Sequence, residues 1–292
     1  MVGALATAEH CRIEYGARPV LGGVTWERRP IDPQPGPRAA ADIENARALG
    51  PAVLAAGPHT RVRRTGVRFA EARMAELLGE ETVLVDANHA PETIAAGLRE
   101  AAAALGCDLV VLVDVGGDVL AHGDEPELAS PLCDALILAA AVRMAEQGTP
   151  DLLGAVFGIG CDGELTPDEV LERLDELDRD GGLLGGLAID EPVARRLDEA
   201  VAAVPTEASA LALRAFRGES GRVEIRGGRR SVDLRPLAAG TVFYDPVVAV
   251  AGPSRLAAAV RDARGLDAAN DILRRLGVRT ELDYEREAST SV

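Results

Sequence analysis

The 292-residue chain contains no lysine; all 31 of its basic residues are arginine. That absence excludes an internal aldimine or other Schiff base, and with it lysine-linked pyridoxal phosphate, as well as a P-loop or kinase-type lysine. Aromatic residues make up only 3% of the chain, so it has few platforms on which nucleic-acid bases could stack. The four cysteines (Cys11, Cys107, Cys133, Cys161) are scattered, with no CxxC pair, which argues against a disulfide framework or a cysteine zinc site. No HExxH, GxSxG or paired-histidine spacing occurs, so zinc-peptidase and serine-hydrolase chemistry fall away. Apolar runs of about 18 residues are missing, and Met1 leads into no signal-peptide pattern. Reduced thiols and a cytoplasmic location away from membranes are the expectation.

Positive charge is also in deficit. The formal net charge of -16 repels phosphate polymers and anionic membranes, which argues against nucleic acid as a partner, while a local arginine pocket could still hold one small anion.

Hydrophobic residues make up 47% of the chain, mostly Ala, Val and Leu, enough for a sizeable core. Residues 1–284 read as one α/β domain and the polar stretch 285–292 as a disordered tail. A helix is expected over 3–15 and a strand over 20–26, followed by a stiff loop, 27–38, containing Pro30, Pro33, Pro35 and Pro37. Short strands near 52–55 and 60–64 and a helix over 69–78 come next. The pattern then turns regular, with strands 82–86, 109–115 and 153–159 alternating with helices 92–105, 131–147 and 167–179. These strands are Val/Leu/Ile runs closed by Gly or Asp, as in strands buried on both faces. Such alternation predicts a Rossmann-like, three-layer α/β fold: a mostly parallel sheet with helices on both faces. Helices over 192–204 and 207–216 precede a small β-hairpin appendage, 222–226 and 229–234, turning at Gly227-Gly228. A strand over 241–251 and helices over 254–264 and 268–276 complete the reading. Because the chain opens inside its first helix, with no strand and glycine turn ahead of it, it is expected to be shortened at its start.

Polar residues gather on two glycine-rich segments after strands. The first, Asp114-Val115-Gly116-Gly117-Asp118 through His122-Gly123-Asp124-Glu125, lies at the carboxyl end of a buried strand, where open α/β sheets bind ligands. Gly116 and Gly117 would let backbone N–H groups approach an anion. Asp114, Asp118 and Asp124 could hold a hard divalent cation such as Mg²⁺, with Asp118 and His122 as general acid/base candidates. The plain alternative is a solvated loop whose aspartates cap turns. The second segment, Gly158-Ile159-Gly160-Cys161-Asp162-Gly163-Glu164, precedes the helix start Thr166-Pro167. Gly158, Gly160 and Gly163 suit a tight turn beside a ligand, Asp162 is a catalytic candidate, and Glu164 could bind a ligand hydroxyl. The GxGxxG spacing is a weak dinucleotide signal in mid-chain with no suitably placed acidic residue after it, and a nucleotide stays open only as an alternative. Cys161 reads as a small buried thiol.

Arg28 and Arg29, on the proline-rich loop, could grip a carboxylate or phosphate. Tyr244 could hydrogen-bond a ligand or cap a core. His10 reads as structural, whereas Asp86-Ala87-Asn88-His89 could join the same rim.

At these residues the chain resembles a prokaryotic family, domain of unknown function 1152. The likeness rests on Val2-Gly3-Ala4 with its helix, Gly22-Gly23-Val24-Thr25-Trp26-Glu27-Arg28, Val113-Asp114-Val115-Gly116-Gly117-Asp118, Ser130-Pro131-Leu132-Cys133-Asp134 and Gly158-Ile159-Gly160-Cys161-Asp162-Gly163-Glu164. Members begin with a strand and a glycine run ending in Asp, just before the Val-Gly-Ala; this chain starts after it. The resemblance implies no activity. The residues themselves favour an enzyme acting on a small phosphate- or carboxylate-bearing metabolite. The alternatives are a non-catalytic metabolite-binding protein, or an oligomeric scaffold using the apolar helix 131–147. A homo-oligomer is compatible with each.

Overall fold

A computed structural model describes residues 1–29 and 31–290; Pro30, and residues 291–292 of the expected tail, lie outside the described residues. The chain opens with helix α1 (Val2–Tyr15), closed by Gly16 in the left-handed region. Strands β1 (Gly22–Val24), β2 (Ile43–Gly50) and β3 (Val53–Val62) come next, then α2 (Ala70–Leu78), β4 (Thr82–Val85) and α3 (Pro91–Leu105). The middle of the chain forms β5 (Leu109–Val115), α4 (Pro131–Ala145), β6 (Asp151–Phe157), α5 (Pro167–Arg179), β7 (Leu183–Ala188), α6 (Glu191–Ala203) and α7 (Ala208–Phe216). The hairpin β8 (Gly221–Ile225) and β9 (Arg230–Leu234) is followed by β10 (Gly240–Tyr244), α8 (Pro246–Ala251), α9 (Arg255–Val260), α10 (Leu266–Arg275) and α11 (Glu281–Thr290).

The chain divides into two compact units where the sequence reading has one domain. The first gathers Met1–Pro19, Val111–Leu128 and Leu153–Arg255; the second gathers Val20–Val110, Ala129–Leu152 and Leu256–Val292. In the first, the strand order is β5-β6-β10-β7, and β10 is antiparallel to both of its neighbours. In the second, the order is β1-β4-β3-β2; β1 and β4 are parallel, while β3 is antiparallel to β4 and to β2. Both sheets are therefore mixed, which corrects the mostly parallel expectation. The physical reason in the second unit is a short connection: Gly50 pairs with Val53 across a two-residue turn, too short for a parallel crossover.

Local chemistry sets the helix starts. Thr166 and Glu169 form a reciprocal capping box on α5, and the Asp190 carboxylate accepts the Val193 N–H at the start of α6. Asp245 accepts the N–H groups of Val247 and Val248, with Pro246 in the first turn, so the apolar stretch after Tyr244 coils into α8. The strand expected over 241–251 is thus a strand and a helix. The expected disordered tail is also corrected over 285–290, which belongs to α11 and is tied down through Glu285. The small hairpin forms as expected, as a separate two-stranded sheet. Helix α4 is buried on nearly every side and packs on α3, α10 and α11. Among the described residues, no helix is long and apolar enough to cross a membrane.

Candidate functional site

In the first unit, the Gly116 N–H donates to Phe157 O at 3.0 Å, which brings together the carboxyl ends of β5 and β6 and both glycine-rich segments. Glycine amides lock the segments to each other and hold each in its turn. Gly160 N–H donates to Gly116 O (2.7 Å), Gly158 N–H to Gly240 O (3.0 Å), Gly163 N–H to Gly160 O (3.2 Å) and Gly117 N–H to Asp114 Oδ2 (2.8 Å). The Gly116 and Gly117 amides expected to approach an anion are therefore spent internally, and the glycines serve close packing. Gly116, at φ +122°, is the clearest case: a Cβ there would lie 2.1 Å from Asp162 Oδ1. Only a residue without a side chain lets the Asp162 carboxyl lie across the turn.

That packing assembles a carboxyl cluster. Asp118, Asp162 and Glu164 are all buried, and each offers an oxygen within 4.8 Å of the others'. Asp114 adjoins them through a carboxyl–carboxyl hydrogen bond with Asp118. Burial pushes the Asp114 carboxyl up to about 6, against the hydrogen bonds from Gly117 and Asp118 that pull it down. Asp162 is held well above the usual carboxylate range, first by burial and then by the neighbouring charges of Glu164 and Asp114. Glu164 faces the hairpin: its Oε1 lies 3.3 Å from Arg226 Nη2 and 3.5 Å from Arg230 Nη1.

The rest of the first segment goes elsewhere. His122 Nε2 meets Glu176 Oε2 at 3.1 Å; Glu176 pairs with Arg173, and Arg173 with Glu125. Glu125 closes the ring by accepting the N–H groups of His122 and Gly123. Exposed Asp124 groups with His122 and Glu125, so the three expected metal ligands divide: Asp114 and Asp118 stay together and Asp124 does not join them. Tyr244 is fully buried, its ring lying where a Gly154 side chain would be. Cys161 is buried and its thiol is pushed up to about 12, mainly by burial, which keeps it a thiol.

Arg28 and Arg29 belong to the second unit, where they do grip carboxylates or polar groups, but those of this chain. Arg28 pairs with Glu281 at 3.1 Å and stacks 4.2 Å over the Trp26 ring, and Arg29 bonds Ser289 Oγ. Glu281 also accepts Leu132 N–H and Cys133 N–H at the amino end of α4, and Glu285 accepts Trp26 Nε1–H and Gly36 N–H. Asp86, in the same unit, is a turn anchor that accepts Ala40 N–H and Asn88 N–H; exposed His89 lies beside it at 3.5 Å.

One feature escaped the sequence reading. Between the 160–167 turn and the hairpin lies a cleft of about 420 Å³ whose polar lining includes Glu127, Thr166, Arg222, Ser231 and Asp233. The available signal was charge: residues 221–235 carry five arginines against two acids in a chain of net charge -16.

The family described as "Protein of unknown function (DUF1152)" matches residues 1–289, and the chain belongs to that family. No curated protein and no solved structure matches the chain.

Proposed function

We propose that this DUF1152 member is an enzyme acting on a small anionic metabolite, with Asp118, Asp162 and Glu164 as its working centre. One observation carries the reading: two strand-end segments, far apart in sequence, bring three buried carboxyl groups together. Buried carboxyls this close do not all ionise alone; they retain protons or take up a cation. Strongly shifted acids of this kind concentrate where chemistry is done. In the proton-loaded form, Asp162 is the general acid and Asp118 its neighbouring carboxylate. An all-oxygen donor set suits Mg²⁺: Asp118 and Asp162 would hold the ion, and it would supply positive charge for an anionic substrate. Glu164 is already balanced by Arg226 and Arg230, so it positions the cluster. The test is turnover. Asp118→Ala and Asp162→Ala are expected to abolish product formation and metal uptake while the protein stays folded; if both variants keep full activity, the cluster is structural.

A further inference from the structure

The cleft beside the hairpin carries two charges of opposite sign that no described residue balances. Arg222 and Glu127 both line it, both are exposed, and neither makes an ion pair with the other or with any other described residue. The remaining lining acid is already neutralised: Asp233 is held by Arg235 at 2.8 Å, and Arg235 in turn by Asp168. Arg226 and Arg230 are likewise committed, to Glu164. Subtracting the satisfied charges leaves one guanidinium and one carboxylate on the walls of a cleft of about 420 Å³, within the roughly 300–1,000 Å³ typical of small-ligand sites. The Ser231 and Thr166 hydroxyls and the apolar walls of Leu165, Pro167 and Val232 complete the lining.

We infer that this cleft binds a zwitterion: an amino acid, or an amine-bearing phosphate of similar size. Arg222 takes the carboxylate or phosphate bidentately, and Glu127 takes the ammonium group. A purely anionic ligand would meet Glu127 as a like charge, and a purely cationic one would meet Arg222, so only a molecule with both signs satisfies both walls. Free glycine amides are not needed, which agrees with their internal hydrogen bonds. The inference refines the substrate class of the proposed enzyme and rests on that reading for its link to chemistry, but it concerns binding alone.

The test is calorimetric titration with the twenty standard L-amino acids and phosphoethanolamine. For any that bind, the matched acid lacking the amine and the matched amine lacking the acid are titrated as well. At least one zwitterion is expected to bind, with each truncated analogue at least tenfold weaker. Arg222→Glu and Glu127→Arg should each weaken binding at least tenfold without changing the ligand-free melting temperature, and the double swap should recover part of the loss. Phosphoethanolamine binding in preference to every amino acid would identify the anionic end as phosphate. If no member of the panel binds, or if binding survives both charge reversals, the inference is overturned. Asp118→Ala separates the two claims: it should stop turnover and leave zwitterion binding in the cleft intact.

Discussion

Replacing Gly116 with alanine tests the packing on which the carboxyl cluster depends. An L-residue at φ +122° carries a backbone strain of about 1–2 kcal/mol. The new Cβ would also lie 2.1 Å from Asp162 Oδ1 and 2.2 Å from its Cγ, so the carboxyl must swing away. Displaced, it loses the Glu164 N–H, leaving buried polar groups unpaired at a cost of about 1–3 kcal/mol. The expected total is about 3 kcal/mol, read as a fall in the urea midpoint at unchanged slope. Gly16→Ala is the control, because Gly16 has φ +62° and nothing within 4 Å of where an alanine methyl would lie; it should lose only about 1 kcal/mol. If the two variants prove equally stable, Asp162 does not lie across the Gly116 turn and the cluster is misassembled.

Other outcomes follow from the same contacts. Asp114 and Asp162 hold protons in the fold that the unfolded chain releases near pH 4, so their contribution to stability fades as pH rises, for Asp114 through about 6. Asp162→Asn should flatten that decline; urea midpoints between pH 5 and 8 in chelator that rise for the wild type, or coincide with the variant's, would refute it. Glu281→Ala removes a cap from α4 and the partner of Arg28, and should cost about 2–3 kcal/mol and expose α11 to limited proteolysis, whereas an unaltered digestion pattern would mean that other contacts hold the helix. His122→Ala breaks one link of the Glu176–Arg173–Glu125 ring but leaves Glu125 on two backbone amides, so a loss of about 1 kcal/mol is expected in thermal melts, and a loss several times larger would show that the ring acts as a unit.

Where hydrophobic pattern and capping agreed, the sequence was readable: β5 and α5 lie at the residues expected. It misled where one signal hid another. The apolar run after Tyr244 looked like strand, although Asp245-Pro246 is a helix start in its own right. Strand β7, Leu-Leu-Gly-Gly-Leu-Ala, was not expected, because its paired glycines break the continuous apolar run that marks the other strands. Helix α11 was invisible to hydrophobic patterning because it docks through carboxylates, with Glu281, Glu285 and Ser289 spaced along one face. At the site, the glycines were rightly singled out, but for a different reason: sequence gives their freedom to turn, whereas the contacts that join the two segments, Gly160 N–H to Gly116 O among them, come only from the fold. Arg28 and Arg29 were legible as anion grips, and what they grip could come only from the fold.

The most direct measurement is a thermal-shift screen of divalent metals crossed with nucleotides, phosphorylated metabolites and amino acids, on the wild type and on Asp118→Ala and Asp162→Ala. Ligand at about 100 times its Kd stabilises a protein by roughly 2.7 kcal/mol, well within reach of the assay. The account requires a shift that needs metal and metabolite together and disappears in both variants; a metal-independent shift with an amino acid that persists in the variants reports the hairpin cleft instead. No metal-dependent shift from any combination, or the same metal-dependent shift in all three proteins, would contradict it and leave the carboxyl cluster as packing.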